Sequence, residues 1–409
     1  MKSRRVRLSD IAELTVGFVG NMAKQYKDEG VKFLRSLNIK PFSIVEDDLK
    51  YISREFNESL RKSILHENDL IIVRTGIPGT CCVVSKDYEG CNCADVVLVR
   101  PNLQVVNPHY LAAYINVWGK KQVENNKVGA IQKHFNVKSA EEMLIDLPDL
   151  ESQNKVAKIL CDLNDKIISN EKINDYLEEM AKTIYDYWFV QFDFPDKNGK
   201  PYKSSGGTFK NGLPIGWNYV PIKNICNILS GFSFQSDDYV QNGKYKLLTI
   251  KNVQDTGINL DVDNYINILP ENMPDFCKLD IGSILMSLTG NVGRVGILYD
   301  SNCLLNQRVS LMQAKNPIMT PFIYCLLKSS KMRYILESLA TGTSQKNLSP
   351  IEAGNIMIPY DSEIVKNFSK KVTPLIDSII TNLKENNNLT NLREWLLPML
   401  MNGQATIEN

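Results

Sequence analysis

A glutamine followed by a lysine stands at Gln345-Lys346 inside GTSQKNLSP, and again at Gln132-Lys133 inside GAIQKHFNV. An amide fork beside a point charge suits phosphate oxygens or a base edge. The same nonamer also reads as the end of one helix and the start of another. Gly342 then follows a helix C-terminus, and Ser349-Pro350 supply an N-cap and a first helical residue. That accounts for the glycine and the proline but not for Gln-Lys, so both readings stay open. A second repeated feature is an apolar, β-branched run entering a glycine turn: IIVRTGIPG (Ile71 to Gly79) and LMSLTGNVG (Leu285 to Gly293). Each is expected to be a strand running into a tight turn.

If the two copies read different short sequences, residues common to both are framework or phosphate contacts, and residues that differ are readers. Arg74, Ile77 and Thr80 stand opposite Leu288, Asn291 and Arg294, and His134 stands opposite Asn347. Arginine suits guanine and asparagine suits adenine in the major groove. The expected nucleic-acid contacts are Arg74, Thr75, Gly76, Thr80, Gln132, Lys133 and His134 in the first copy. In the second they are Thr289, Gly290, Asn291, Arg294, Gln345, Lys346 and Asn347.

No catalytic constellation accompanies them. There is no G-x-x-x-x-G-K-[ST] phosphate loop. Asn107-Pro108-His109-Tyr110 is similar to part of the Asn-Pro-Pro-aromatic motif of amino-methylating enzymes. It lacks the second proline and a glycine-rich loop before it, so Pro108 is expected to start a helix, as Pro321 does in the other copy. Asp48-Leu49-Lys50 has no upstream Pro-Asp to hold a nuclease metal, and the three histidines are scattered. Cys81, Cys82, Cys91 and Cys93 are too irregularly spaced for a usual zinc site and fit a strand filling a core. No catalytic or metal-binding residue is therefore assigned.

The elements that would hold these residues are themselves duplicated. Gly17-Phe18 recurs as Gly231-Phe232, an offset of 231 − 17 = 214, and KFLRSLNI (Lys32 to Ile39) recurs as KLLTIKNV (Lys246 to Val253) at the same offset. Each half reads as a mixed α/β domain closed by a long helix capped at Asp149 or Asp361. Val156, Leu160, Leu163, Ile167, Asn170, Asn174, Leu177, Ala181, Ile184 and Trp188 follow a heptad seam. The same positions recur from Phe368 to Leu400. The expected division is residues 1–148 and 216–360 as two α/β domains, 149–190 and 361–409 as helices, and 191–215 as a Gly/Pro/Lys/Ser-rich linker.

Both seams carry two asparagines: Asn170 and Asn174 in one, Asn382 and Asn386 in the other. Buried amides are expected to face each other, since an unpaired one forfeits roughly 1–3 kcal/mol. An antiparallel pairing in which facing residue numbers add to about 556 achieves this. It also sets Leu160 by Leu396, Ile167 by Leu389, Leu177 by Ile379 and Trp188 by Phe368. Leu163 then meets Arg393, whose head is expected to reach water.

The 409 residues carry a net charge of +1, which argues against a protein that coats nucleic acid but leaves room for a local basic surface. The basic start MKSRRVRLSDIAEL has no apolar segment behind it, and nothing is long and apolar enough to span a membrane. Nine cysteines without a secretory signal are expected to be reduced thiols in a cytoplasm.

The order GFSFQSDDY, ILMSLTGNVGRVGIL, GTSQKNLSP and a heptad helix, with the plan present twice, resembles the specificity subunit of Type I restriction–modification systems. In the first half GFVGNMAKQY and IPGTCCVV depart from that pattern. The resemblance implies two target-recognition domains that each read half of a split DNA site, and an antiparallel pair of helices that fixes the gap. It also implies two modification subunits bringing S-adenosylmethionine, restriction subunits bringing ATP and magnesium chemistry, and no cofactor in this chain. The alternatives are a self-contained DNA-binding regulator or scaffold, and a fused methyltransferase or nuclease.

Overall fold

The computed structural model describes residues 3–119, 122, 135–342 and 345–402. Its contacts divide the chain into two units, Met1–Ile168 with Asn388–Asn409, and Ser169–Asn387. Each unit therefore takes in part of both long helices.

In the first unit, besides a short hairpin at Ile39–Lys40 and Ser43–Ile44, the strands are β1 (Arg4–Arg7), β2 (Ala12–Val16), β3 (Val31–Leu34), β4 (Lys50–Ile52), β5 (Leu70–Val73), β6 (Cys81–Val83), β7 (Asn92–Cys93), β8 (Val96–Pro101) and β9 (Leu144–Leu147). The central antiparallel sheet has the order β2-β8-β5-β6, and a smaller sheet has the order β4-β3-β7. β5 reads LIIV without polar alternation because both of its faces are covered. Leu70 and Ile72 enter one core cluster with Val97 and Val99, while Ile71 and Val73 enter another with Val96 and Leu98. Cys81 and Cys82 split between the same two clusters, so the cysteine run fills both faces of an edge strand. Helix α1 (Pro108–Tyr114) starts where expected: the Asn107 side chain accepts from the His109 and Tyr110 amides, with proline in the first turn.

The second unit repeats the plan with β10 (Asn218–Pro221), β11 (Cys226–Ser230), β12 (Tyr245–Leu248), β13 (Tyr265–Ile266), β14 (Lys278–Leu279), β15 (Ile284–Ser287), β16 (Val295–Ile297), β17 (Cys303–Leu305), β18 (Val309–Ala314) and β19 (Met357–Tyr360). Its central sheet has the order β11-β18-β15-β16, the counterpart of the first. One buried asparagine per unit holds the same loop. Asn38 donates to the Val45 and Asp47 carbonyls at 3.0 Å and accepts from the Arg35 amide. Asn252 donates to the Asn259 and Asp261 carbonyls and accepts from the Thr249 amide.

The first long helix, α2, spans Leu150–Tyr185 and continues as a π-turn over Asp186–Val190. The second, following three short helices over Thr320–Lys328 (α3), Ser330–Leu339 (α4) and Pro350–Asn355 (α5), is α6 (Ser362–Met401). Asp149 and Asp361 cap them, accepting from the amides of Ser152 and of Glu363 and Ile364. None of the described helices is long and apolar enough to cross a membrane.

The stretch expected as a linker, 191–215, is folded. Phe194 stacks on Tyr202 and Trp217 with ring centroids 4.8 and 5.1 Å apart, and Phe194, Leu213 and Trp217 join the core of the second unit. Its aromatic side chains outweigh the flexible composition that suggested a linker.

Candidate nucleic-acid interface

In the second unit the two repeated motifs meet. β15 ends at Ser287, and the chain reverses through Leu288–Arg294 into β16, with Gly290 and Gly293 at φ 75° and 82°. The nonamer lies against this turn. The Gly290 amide donates to the Lys346 carbonyl and the Leu348 amide to the Leu288 carbonyl, both at 2.8 Å. The Thr289 hydroxyl donates to the Asn347 side-chain oxygen at 2.7 Å. Gly342, at φ 117°, lets the loop fold back on itself, since a Cβ there would sit 2.3 Å from the Gln345 carbonyl oxygen. Thr341 and Asn347 then bond to each other through both backbone groups. Ser349 caps α5, whose first residue is Pro350.

The helix-end reading and the binding reading thus describe different residues of one loop. Gly342, Ser349 and Pro350 shape it, while Gln345, Lys346 and Asn347 are left exposed on it. Lys346 has no ion-pair partner among the described residues, which leaves a free point charge beside a rigid turn. Thr289, Gly290, Gln345, Lys346 and Asn347 come together, and Asn291 is exposed at the tip of the same turn.

Arg294 behaves differently from its expected role as a reader. Its guanidinium pairs with Asp255 at 2.8 Å, and Arg333 holds the same carboxylate. Burial works to raise the Asp255 pKa, but Arg333 and Arg294 together hold it below the usual carboxylate range. Arg294 is a tie between the turn and the loop at Asp255, a partner 39 positions away (294 − 255) that no local pattern signals.

The first unit builds the same turn with different side chains. Gly76 and Gly79 have φ of 91° and 87°, and the Val73 and Gly79 amides close the hairpin. Arg74 donates from Nε to the Phe135 carbonyl at 3.2 Å, which stitches this turn to the nonamer of the first unit. The Thr75 hydroxyl donates to the Asp95 carboxylate. Ile77 is 69% exposed. Thr80, expected on the binding face, is buried at 4% exposure at the wall of a cleft beside the turn. Gln132, Lys133 and His134 lie outside the described residues. Beside the turn is an open cleft of about 750 Å³, lined by Phe18, Tyr26, Arg35, Leu37, Thr75 and Asp95 among others. Arg35 is fixed there by Asp48 at 2.9 Å.

The helix residues singled out for register also meet. In the second unit Asn382 donates to the Asn174 side-chain oxygen at 2.9 Å. Asn170 donates to Asn386 at 2.8 Å and to Glu385 at 2.7 Å. The Trp188 and Phe368 rings are 5.7 Å apart. In the first unit Arg393 sends its guanidinium to the Asn164 side chain at 3.1 Å and over the Phe42 ring at 4.8 Å, and not to water. These pairs set α2 and α6 antiparallel.

A family model described as the Type I restriction modification DNA specificity domain matches residues 2–179 and again 214–391. The Type I restriction enzyme MjaVIII specificity subunit of Methanocaldococcus jannaschii is 25% identical over 395 residues, covering 90% of each chain. The MjaIX specificity subunit of the same organism is 26% identical over 275 residues, which are 65% of this chain and 62% of that one, so this match spans less than two thirds of that relative. Among solved structures, the Type I restriction-modification S subunit from M. genitalium shares the fold. Its TM-score is 0.55 at 15% identity, with 97% of this chain and 96% of that chain covered.

Proposed function

This chain belongs to the Type I restriction modification DNA specificity family, and from that premise we propose that it is the DNA-recognition and scaffold subunit of such a system. Each α/β domain reads one half of a split, asymmetric duplex site. The observation that carries this reading is the repeated joining of turn and nonamer. Thr289 with Asn347 in the second unit, and Arg74 with Phe135 in the first, join turn to nonamer at equivalent ends of equivalent sheets. A backbone-anchored loop with an exposed lysine and amides, as in the second unit, suits phosphate positioning and base reading.

Chemistry is assigned to partners: two modification subunits with S-adenosylmethionine, and restriction subunits with ATP and magnesium, in the cytoplasm. Exposed apolar side chains on the helices support a docking role. Ile173, Tyr176 and Met180 line up at spacings of three and four on α2, and Leu392 and Trp395 stand exposed on α6. The purified chain alone is expected to transfer no methyl groups to DNA, and methylation by it alone would overturn the scaffold assignment. Methylome sequencing of cells carrying the modification subunits, with and without this chain, tests the reading. A split motif should be methylated only when the chain is present.

The paired helices are further proposed to set the gap between half-sites. α2 is about 54 Å long at ~1.5 Å per residue, against roughly 34–36 Å per DNA turn. Inserting four residues in one helix should lengthen the gap in the motif without altering the bases at either end. An unchanged gap would remove the helices from that role.

A further inference from the structure

We infer that the turn tip Gln307–Arg308 is the base-reading element of the second domain, with Arg308 taking a guanine in the major groove. The inference rests on the reading of the chain as a DNA-recognition subunit and names a reader that the repeated motifs do not contain.

Gln307 and Arg308 are the two exposed central residues of a turn between β17 and β18, closed by the Val309 amide on the Asn306 carbonyl at 3.0 Å. The base of this turn is clamped. The Asn306 amide donates to Leu248, the Phe232 amide to Leu305 and the Gly231 amide to Val309, all within 3.1 Å. Gly231 approaches so closely that a Cβ there would lie 2.3 Å from the Asn306 carbonyl oxygen. A rigid base under two free side chains lowers the entropy lost on contact.

Position points the same way. Ser287, the last residue of β15, faces Val309, the first of β18. The Thr289-Gly290 turn and the Gln307–Arg308 tip therefore leave the sheet side by side, on the edge where Lys346 and Asn347 are exposed.

Charge separates Arg308 from the other arginines of the domain that hold carboxylates. Arg294 and Arg333 are paired with Asp255, Lys246 with Asp300 and Lys251 with Asp263. Arg308 has no carboxylate or hydrogen-bond partner among the described residues. An unpaired guanidinium fork matches guanine O6 and N7, and a neighbouring glutamine matches an adenine edge. The first domain has no such tip. Cys93 corresponds to Leu305 and Val96 to Val309, so its turn is one residue shorter. In its place stands Asp95, at φ 58°, with its carboxylate taken by Thr75.

The test uses the chain assembled with its modification subunits and reads the methylated motif by sequencing. The wild-type complex must show a defined split motif; without one, the recognition reading itself fails, whatever Arg308 does. With the motif in hand, Arg308→Ala should make one G·C pair in a single half-site degenerate. Discrimination at that pair should fall roughly five- to a hundredfold, leaving the other half-site intact. Thermal unfolding of Arg308→Ala should match wild type, since the exposed side chain makes no hydrogen bond or ion pair among the described residues. An unchanged motif in Arg308→Ala overturns the inference. So does an equal loss on all sequences with a shallower salt dependence, because that marks a phosphate contact and not a base contact.

Discussion

Beside its Thr-Gly turn the first domain has a cleft of about 750 Å³, rimmed by exposed Val19, Leu37 and Ile77. At the matching place the second domain carries an extra residue and a protruding polar tip, and Asn291 replaces Ile77. Beneath these surfaces the two domains are nearly interchangeable: the same sheet order, the same hairpin glycines, the same buried asparagine at 38 and 252. Duplication has kept what the backbone requires and released what solvent sees. A concave apolar surface suits a thymine methyl or a ribose edge, whereas an amide–guanidinium tip suits hydrogen bonds to purines.

The largest effect expected lies in the core that each unit builds around its share of the helices. In the second unit Trp188 packs on Phe368 within a cluster that includes Tyr185, Phe189 and Phe322. The duplicated positions in the first unit are Leu400 and Val156, both aliphatic and buried. Phe368→Ala should cost about 3–5 kcal/mol, and Val156→Ala about 2 kcal/mol. Equal losses in chemical denaturation would mean the aromatic end has no special weight.

Next comes a polar anchor present on one side only. Gln153 is fully buried, donating to the Pro148 and Val105 carbonyls and accepting from the Asn107 amide at 2.8 Å. Its duplicate is Val365, also fully buried. Gln153→Val, which copies the second unit into the first, should strand those groups and lower stability by about 1–3 kcal/mol in thermal unfolding. A neutral result would show that the first unit can close its helix start as the second does.

The shared asparagines supply a control. Asn38→Ala and Asn252→Ala should each cost about 1–3 kcal/mol, and by similar amounts, because the bonds lost are the same in kind. A large imbalance would break the claim that this loop is common framework. The smallest effect belongs to Lys346→Ala. Binding of the assembled complex should weaken on every sequence alike, with the slope of log affinity against log salt shallower by about 0.9. A change confined to one sequence would recast Lys346 as a reader.

The register of α2 against α6 was legible in the sequence because two constraints agree there. The heptad seam limits the offsets, and four asparagines need one another. The hairpin glycines were legible for a similar reason, since left-handed φ at a turn favours glycine. What stayed hidden depends on partners far along the chain. Thr80 and Arg294 occupy the same turn position, yet one is buried and the other is tied to Asp255. The reach of Arg393 to the Phe42 ring crosses between elements that no periodicity connects. Arg308 left a signal that was available, a one-residue insertion between the halves, but an insertion marks a place without stating its chemistry.

The division into units has a consequence for synthesis. Leu397, Leu400 and Met401 of α6 complete the core that holds Tyr110, Leu111 and Val156 of the first unit. That unit runs to Ile168 and resumes only at Asn388. At about 5–20 residues per second, a ribosome takes roughly ten to forty seconds to cover that interval. The second unit, Ser169–Asn387, is one continuous stretch and can close as soon as it emerges. The domain made first is therefore the last to be finished. Throughout the wait it presents an apolar seat for a helix that has not yet been made, which is the kind of surface a nascent-chain chaperone covers.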